Sequence, residues 1–230
     1  MHGGKVIGEG GYGIVNHPAI KCTDKDPDFK TETVSKAMRK KDAIFEYNIA
    51  KIIESQVQPE DLKKYFVFPV REPCPITTLS KEDITISTKK NTRIDKTKFK
   101  DKWLLHLPYH GINCRDYVYN ILNKLTTENA AYTMQNLQFL KEKILTAFKE
   151  GLLPLNKKGI FHRDLKLDNI LIDNEQNVRF NDWGMSIVPL TMIVSDNIFT
   201  GSGTETETTN SDYIENITER VKNLMTDYPY

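Results

Sequence analysis

One short stretch constrains this chain more than any other. Phe161-His162-Arg163-Asp164-Leu165-Lys166-Leu167-Asp168-Asn169 crowds carboxylates, cations and an amide into nine positions. Asp182-Trp183-Gly184 follows, with Asp182 thirteen residues after Asn169. Between them lie two short hydrophobic runs, Ile170-Leu171-Ile172 and Val178-Arg179-Phe180, separated by the turn-like Asp173-Asn174-Glu175. Polar groups at fixed spacing, braced by buried runs, are what a site needs and what a featureless surface does not.

The rest of the chain is large enough to support such a site. It has 230 residues, 39% of them hydrophobic, so it can bury a core as one large domain or two small ones. Lys+Arg 32 against Asp+Glu 31 leaves a net charge of +1, without the basic excess of a dedicated nucleic-acid binder. Cys22, Cys74 and Cys114 lie far apart with no CxxC pair, which predicts free thiols in a reducing compartment. The first residues lack a signal-peptide apolar stretch, and no run approaches 18 apolar residues. These features predict a soluble, cytoplasmic protein with no membrane partner and no nucleic-acid partner.

Periodicity supplies the elements. Lys5-Val6-Ile7, Ile14-Val15 and Ala19-Ile20-Lys21-Cys22 read as strands, with Asn16-His17-Pro18 a tight turn. Ala43, Ile44, Tyr47, Ala50 and Ile53 recur at helical steps over 42–56. Residues 66–70 and Trp103-Leu104-Leu105-His106-Leu107 read as strands, the second broken by Pro108. A polar stretch over 77–102 reads as a surface insertion with a short hairpin near 84–86. A second helix is predicted over 134–153, kinked or ended near Pro154 and stopped by Gly159. Residues 200–212 read as a mobile loop, and Ile214, Ile217, Val221 and Leu224 as a closing helix.

Near the start, Gly8, Gly10, Gly13 and Val15 form GxGxxGxV. A dinucleotide-binding fingerprint would open into a helix, and a Walker loop would end in Gly-Lys-Ser/Thr. Here β-branched residues and Pro18 follow, leaving a hairpin whose backbone N–H groups can fold over phosphates. Lys21, on the expected next strand, places an ammonium within reach of those phosphates.

Taken together, the glycine loop, Ala19-Ile20-Lys21, the HRDLKxxN match at 162–169 and Asp182-Trp183-Gly184 resemble the eukaryotic-type Ser/Thr protein kinase family. The resemblance spans about residues 5–186 and looks most like the compact kinases encoded by large DNA viruses, which would place it in host cytoplasm. It implies an α+β bilobal fold: a small antiparallel β lobe with one helix over 1–107, then a hinge and a reduced, mainly helical large lobe over 108–230. It also implies ATP and Mg²⁺ as cofactors and a protein substrate carrying Ser or Thr. By that resemblance Asp164 orients the substrate hydroxyl and accepts its proton. Lys166 sits at the transferring phosphate and marks Ser/Thr specificity, while Asn169 and Asp182 hold Mg²⁺. Lys21 pairs with Glu46 rather than Glu54, and Gly8, Gly10, Gly13 and Val15 cover the nucleotide. Leu107 backs the adenine pocket, and the hinge 108–110, with Tyr109, meets adenine through its backbone. His162 is structural, and Arg163 faces a phosphorylated activation segment.

Two features depart from the family. Trp183 replaces the usual Phe, as in active kinases of the casein kinase II type. Only 46 residues follow Gly184, with no Ala-Pro-Glu among them. That shortening keeps a second reading open, an ATP-binding pseudokinase or scaffold.

Overall fold

The computed structural model describes residues 5–10, 13–23, 32–77, 99–189 and 191–192. The chain divides into two compact units, Met1–Pro189 and Leu190–Tyr230, and nearly all described residues belong to the first. The expected hairpin near 84–86, the loop at 200–212 and the closing helix at 214–224 lie outside the described residues.

Five antiparallel strands form the first sheet, in the order β1-β2-β3-β5-β4. They are β1 (Lys5–Gly10), β2 (Gly13–His17), β3 (Thr33–Arg39), β4 (Cys74–Pro75) and β5 (Lys102–Pro108). Gly13 is required where β2 meets β3. Its φ is +155°, and a Cβ there would come 2.6 Å from the Ala37 carbonyl oxygen. Register sets two faces, because side chains alternate along a strand. Val15, Lys36 and Leu105 share one row, and Asn16, Ser35 and His106 the next, on the opposite face.

Each face is closed by a different part of the chain. On the Lys36 face, Val34, Met38, Leu105 and Leu107 pack with Ala43 of α1 (Lys40–Ser55) and with Val67. On the other, Ala37 and Leu104 pack with Ile14, Ile20, Cys22 and Phe99. The segment carrying Ile20 and Cys22 is therefore not a strand of the sheet, as its apolar residues predict, but a strip laid across it. Pro18 has no N–H for a ladder. Ile20 N–H instead donates to Ser35 Oγ at 2.9 Å, and Ala19 N–H to the Thr33 carbonyl.

Cys22 and Cys74 are joined as a disulfide, Cα atoms 5.8 Å apart, while Cys114 is a buried free thiol. The expectation of three free thiols is corrected there. A separation of 52 residues carries no sequence signal for such a pairing.

Below the sheet, α2 (Pro59–Tyr65) leads into an extended stretch at 66–69. The strand expected there is one bridge, Phe66 to Phe180, with Val67 N–H donating to the Phe180 carbonyl. Three strands, β6 (Ile112–Asn113), β7 (Ile170–Ile172) and β8 (Val178–Phe180), form a second antiparallel sheet. Helix α3 (Cys114–Leu122) has no counterpart in the sequence expectations. Asn113 caps it, Oδ1 accepting from Asp116 N–H at 2.8 Å. Helix α4 (Ala130–Ala147) ends in a π turn (Phe148–Leu152), and α5 (Leu153–Lys157) restarts with Pro154 in its first turn. The α-helical ladder thus ends ahead of the proline, which occupies a position that needs no N–H donor. No helix among the described residues is long and apolar enough to cross a membrane.

Candidate active site

Three elements deliver charged groups to one place. Helix α1 buries its Phe45, Ile49, Ile52 and Ile53 side and with it Glu46, 2% exposed. Strand β3 presents Lys36 from the α1 face. After β8, the chain turns at Asp182, whose φ of +69° is a left-handed value that Asp tolerates better than most residues. Lys36 Nζ donates to Glu46 Oε2 at 2.7 Å and to Asp182 Oδ1 at 2.8 Å. Burial opposes the charge on Lys36, but the two carboxylates outweigh it and hold the ammonium above its ordinary range. Burial pushes the Glu46 carboxyl up, with Lys36 opposing that rise. Gly184 belongs to this geometry, since a Cβ there would approach Glu46 Oε2 to 3.2 Å.

The expected lysine is corrected here. Lys21 lies on the strip crossing the far face of the sheet, and Glu46 pairs with Lys36. The short spacing after the glycine turn favoured Lys21, while in Thr33-Val34-Ser35-Lys36-Ala37-Met38 polar and apolar residues do not alternate, because β3 is buried on both faces. A lysine ten residues ahead of Glu46 therefore carried no periodic signal of its own. Glu54 pairs with Lys51 at 2.6 Å, partly exposed on α1.

The second cluster sits on the segment between α5 and β7. Lys166 Nζ donates to Asp164 Oδ2 at 2.6 Å, and this hydrogen bond raises the Lys166 pKa. Asn169 Nδ2 donates to the Asp164 carbonyl at 2.8 Å and to Asp164 Oδ2 at 2.9 Å. Since the amide nitrogen is spent on Asp164, the amide oxygen is the atom left for a cation. It and the Asp182 carboxylate are hard oxygen donors of the kind that Mg²⁺ prefers. His162 is buried and its pKa lowered by that burial, so it stays neutral near pH 7. Its Nε2 donates to the Asn181 carbonyl at 2.9 Å. Arg163 is exposed with φ +64°, and Asp168 pairs with Arg115 at 2.6 Å.

An aromatic stack joins the two clusters. Trp183, 2% exposed, lies 5.7 Å from Phe68 in stacked geometry and 4.7 Å from the His162 ring. Its Nε1–H donates to the Val67 carbonyl at 3.0 Å, a bond that phenylalanine could not make.

Leu107 is buried at the end of β5, on the Lys36 face beside Val15 and Tyr109. Tyr109 differs from expectation in one respect. Its N–H donates to the Glu32 carbonyl at 2.6 Å, continuing the β3–β5 pairing, and its ring stacks on His17 at 4.1 Å. Of the glycine turn, Gly8, Gly10 and Gly13 are described and sit at facing ends of β1 and β2. A cavity of about 730 Å³ is lined by Tyr109, His110, Tyr117, Asp173 and Arg179 among others.

The protein kinase domain family model matches residues 97–213, just over half of the chain. The chain belongs to the protein kinase domain family. Among curated relatives of this kinase domain, the probable serine/threonine protein kinase IREH1 of Arabidopsis thaliana is 33% identical over 86 residues. That alignment covers 36% of this chain and 7% of the relative. The putative protein kinase C delta type homolog of Drosophila melanogaster is 43% identical over 58 residues, 25% of this chain and 8% of the relative. The serine/threonine-protein kinase greatwall of Bos taurus is 29% identical over 103 residues, 43% of this chain and 12% of the relative. The chain thus spans about a tenth of the length of these relatives. The family match begins at residue 97, so Lys36 and Glu46 are tied to the matched region by their geometry with Asp182 alone.

Proposed function

We propose that this kinase domain transfers the γ-phosphoryl group of ATP to Ser or Thr hydroxyls of protein substrates. The observation that carries the reading is the buried Lys36–Glu46 pair set against Asp182, since active kinases require such a lysine–glutamate pair together with a metal-binding aspartate. Lys36, fixed by Glu46, binds nucleotide phosphate oxygens, and Gly8, Gly10, Gly13 and Val15 cover them. Leu107 and the Tyr109 ring flank the adenine, which takes its backbone hydrogen bonds from groups other than the Tyr109 N–H. Asp164 accepts the substrate hydroxyl proton, and Lys166 keeps that carboxylate oriented while meeting the transferring phosphate. Asn169 and Asp182 would hold Mg²⁺, which when bound neutralises charge on the phosphate oxygens.

The test is transfer of labelled γ-phosphate to a generic basic protein, with Asp164→Asn as control. Transfer by the wild type and none by the variant is the expected result. Mg-ATP raising the melting temperature without any transfer would overturn the catalytic reading and leave a nucleotide-binding scaffold.

A further inference from the structure

The sheet face turned away from Lys36 carries a second group of reactive side chains. Cys22 comes from the strip that follows β2, Cys74 from β4 and His106 from β5. Their sulfur and ring-nitrogen atoms all lie within 4.8 Å of one another. His106 and Cys22 are buried and Cys74 is partly buried, so the group is screened from water on most sides.

The histidine is already oriented. Its Nε2 is 2.8 Å from the Ile20 carbonyl oxygen. A carbonyl can only accept, so Nε2 carries the proton and Nδ1 the lone pair. A backbone carbonyl holding one ring nitrogen is the usual support of a metal-ligating histidine. The cysteine side is held as well. Thr77 donates to the Cys22 carbonyl through its N–H at 3.2 Å and through Oγ1 at 2.5 Å.

Two thiolates and a neutral imidazole suit a borderline-soft divalent ion, above all Zn²⁺. Zinc lies about 2.3 Å from sulfur and about 2.0–2.1 Å from nitrogen, so tetrahedral ligand atoms stand roughly 3.4–3.8 Å apart, a spacing the two sulfurs can take within the 4.8 Å envelope once the disulfide bond between them is broken. Mg²⁺ prefers oxygen and would not compete for it.

We propose that Cys22, Cys74 and His106 bind a zinc ion when the cysteine pair is reduced, with water in the fourth position. Metal and disulfide are then alternative clasps between the strip after β2 and the β4 edge. A monothiol of the glutathione class reduces the disulfide: two thiols give up two electrons and two protons, leaving their own disulfide and two cysteine thiols. Zinc binding releases both protons as the thiolates ligate.

Cobalt(II) is the probe, added to the full chain after reduction and chelator treatment. The expected result is one ion per chain, with a sulfur-to-cobalt charge-transfer band and the visible bands of a tetrahedral ion. Zinc should bleach both, and Cys74→Ser should lose them while Cys114→Ser keeps them. Alkylation mapped by mass spectrometry gives the same assignment on the wild type, with zinc protecting Cys22 and Cys74. A reduced, folded protein that takes up no cobalt overturns the proposal. So does a band that survives Cys74→Ser, or zinc that leaves both cysteines open to alkylation.

Discussion

The two faces of the five-stranded sheet are built from neighbouring residues and do different things. Ser35 and Lys36 are adjacent in β3, and so are Leu105 and His106 in β5, yet each pair splits across the sheet. On one face a buried ammonium meets two carboxylates from α1 and the turn after β8. On the other, the Ser35 hydroxyl and the His106 imidazole hold a strip of chain by hydrogen bonds, and the Cys22–Cys74 disulfide fastens it. Both faces bury polar groups, and Lys36 on one face and Ser35 and His106 on the other are each tied to a partner from another segment, because an unpartnered group would be costly. The contrast shows that burial of a polar side chain marks position in a network, and that only the kind of charge distinguishes a site from a fastening.

The largest test of that contrast is Lys36→Met against Lys21→Ala. The first should lower phosphoryl transfer by roughly 10²–10³-fold, the scale of losing one preorganised electrostatic contact. Lys21→Ala should leave transfer near wild type. Equal losses in a kinase assay would mean that the two faces are wrongly divided.

Ser35→Ala, one residue away, should do the reverse. It strips the Ile20 N–H of its acceptor and should cost about 1–3 kcal/mol in urea unfolding, the penalty of a buried unsatisfied donor. Transfer by the folded fraction should be unchanged. Trp183→Phe should cost about 1 kcal/mol, since it leaves the Val67 carbonyl without its indole donor while most ring contacts persist.

The smallest effect lies off both faces. His110 is held at about 4 by burial and then by the Arg179 charge. Between the ordinary histidine range near 6.5 and 4, the unfolded chain binds a proton that the folded chain refuses. Its contribution is therefore present above about 6.5 and lost as pH falls toward 4. His110→Asn should flatten the unfolding free energy over that window. Asp173, lowered to about 2 with Arg179 the leading cause against its burial, acts only below it. An unchanged pH slope would remove His110 from the argument.

The sequence was most legible where chemistry and local structure coincide. His162 to Asn169 and Asp182 to Gly184 read directly, because a fixed spacing of polar groups does not depend on distant packing. Helix α1 followed from the 3.6-residue period, and Glu46 from its place on that helix once the family resemblance called for a glutamate there. Lys36 did not, because a strand buried on both faces hides a lysine among Ser35, Ala37 and Met38, whereas Lys21 stood conspicuously after Ala19-Ile20. Nor did α3, whose Arg115, Asp116 and Asn120 break the apolar stripe. The Cys22–Cys74–His106 group was beyond reach, since sheet register alone brings β4 and β5 beneath the strip.

The hydrogen bond from Trp183 to Val67 has a consequence for inhibitor selection. Compounds that occupy only the space beneath the glycine turn leave that bond intact. Those that lodge where the aromatic ring sits must expel the indole, unstack it from Phe68 and strand a buried carbonyl. Against a protein kinase with phenylalanine at this position, the second chemotype would face a smaller barrier. A screening panel containing both should therefore show this kinase domain selectively resistant to the ring-displacing compounds.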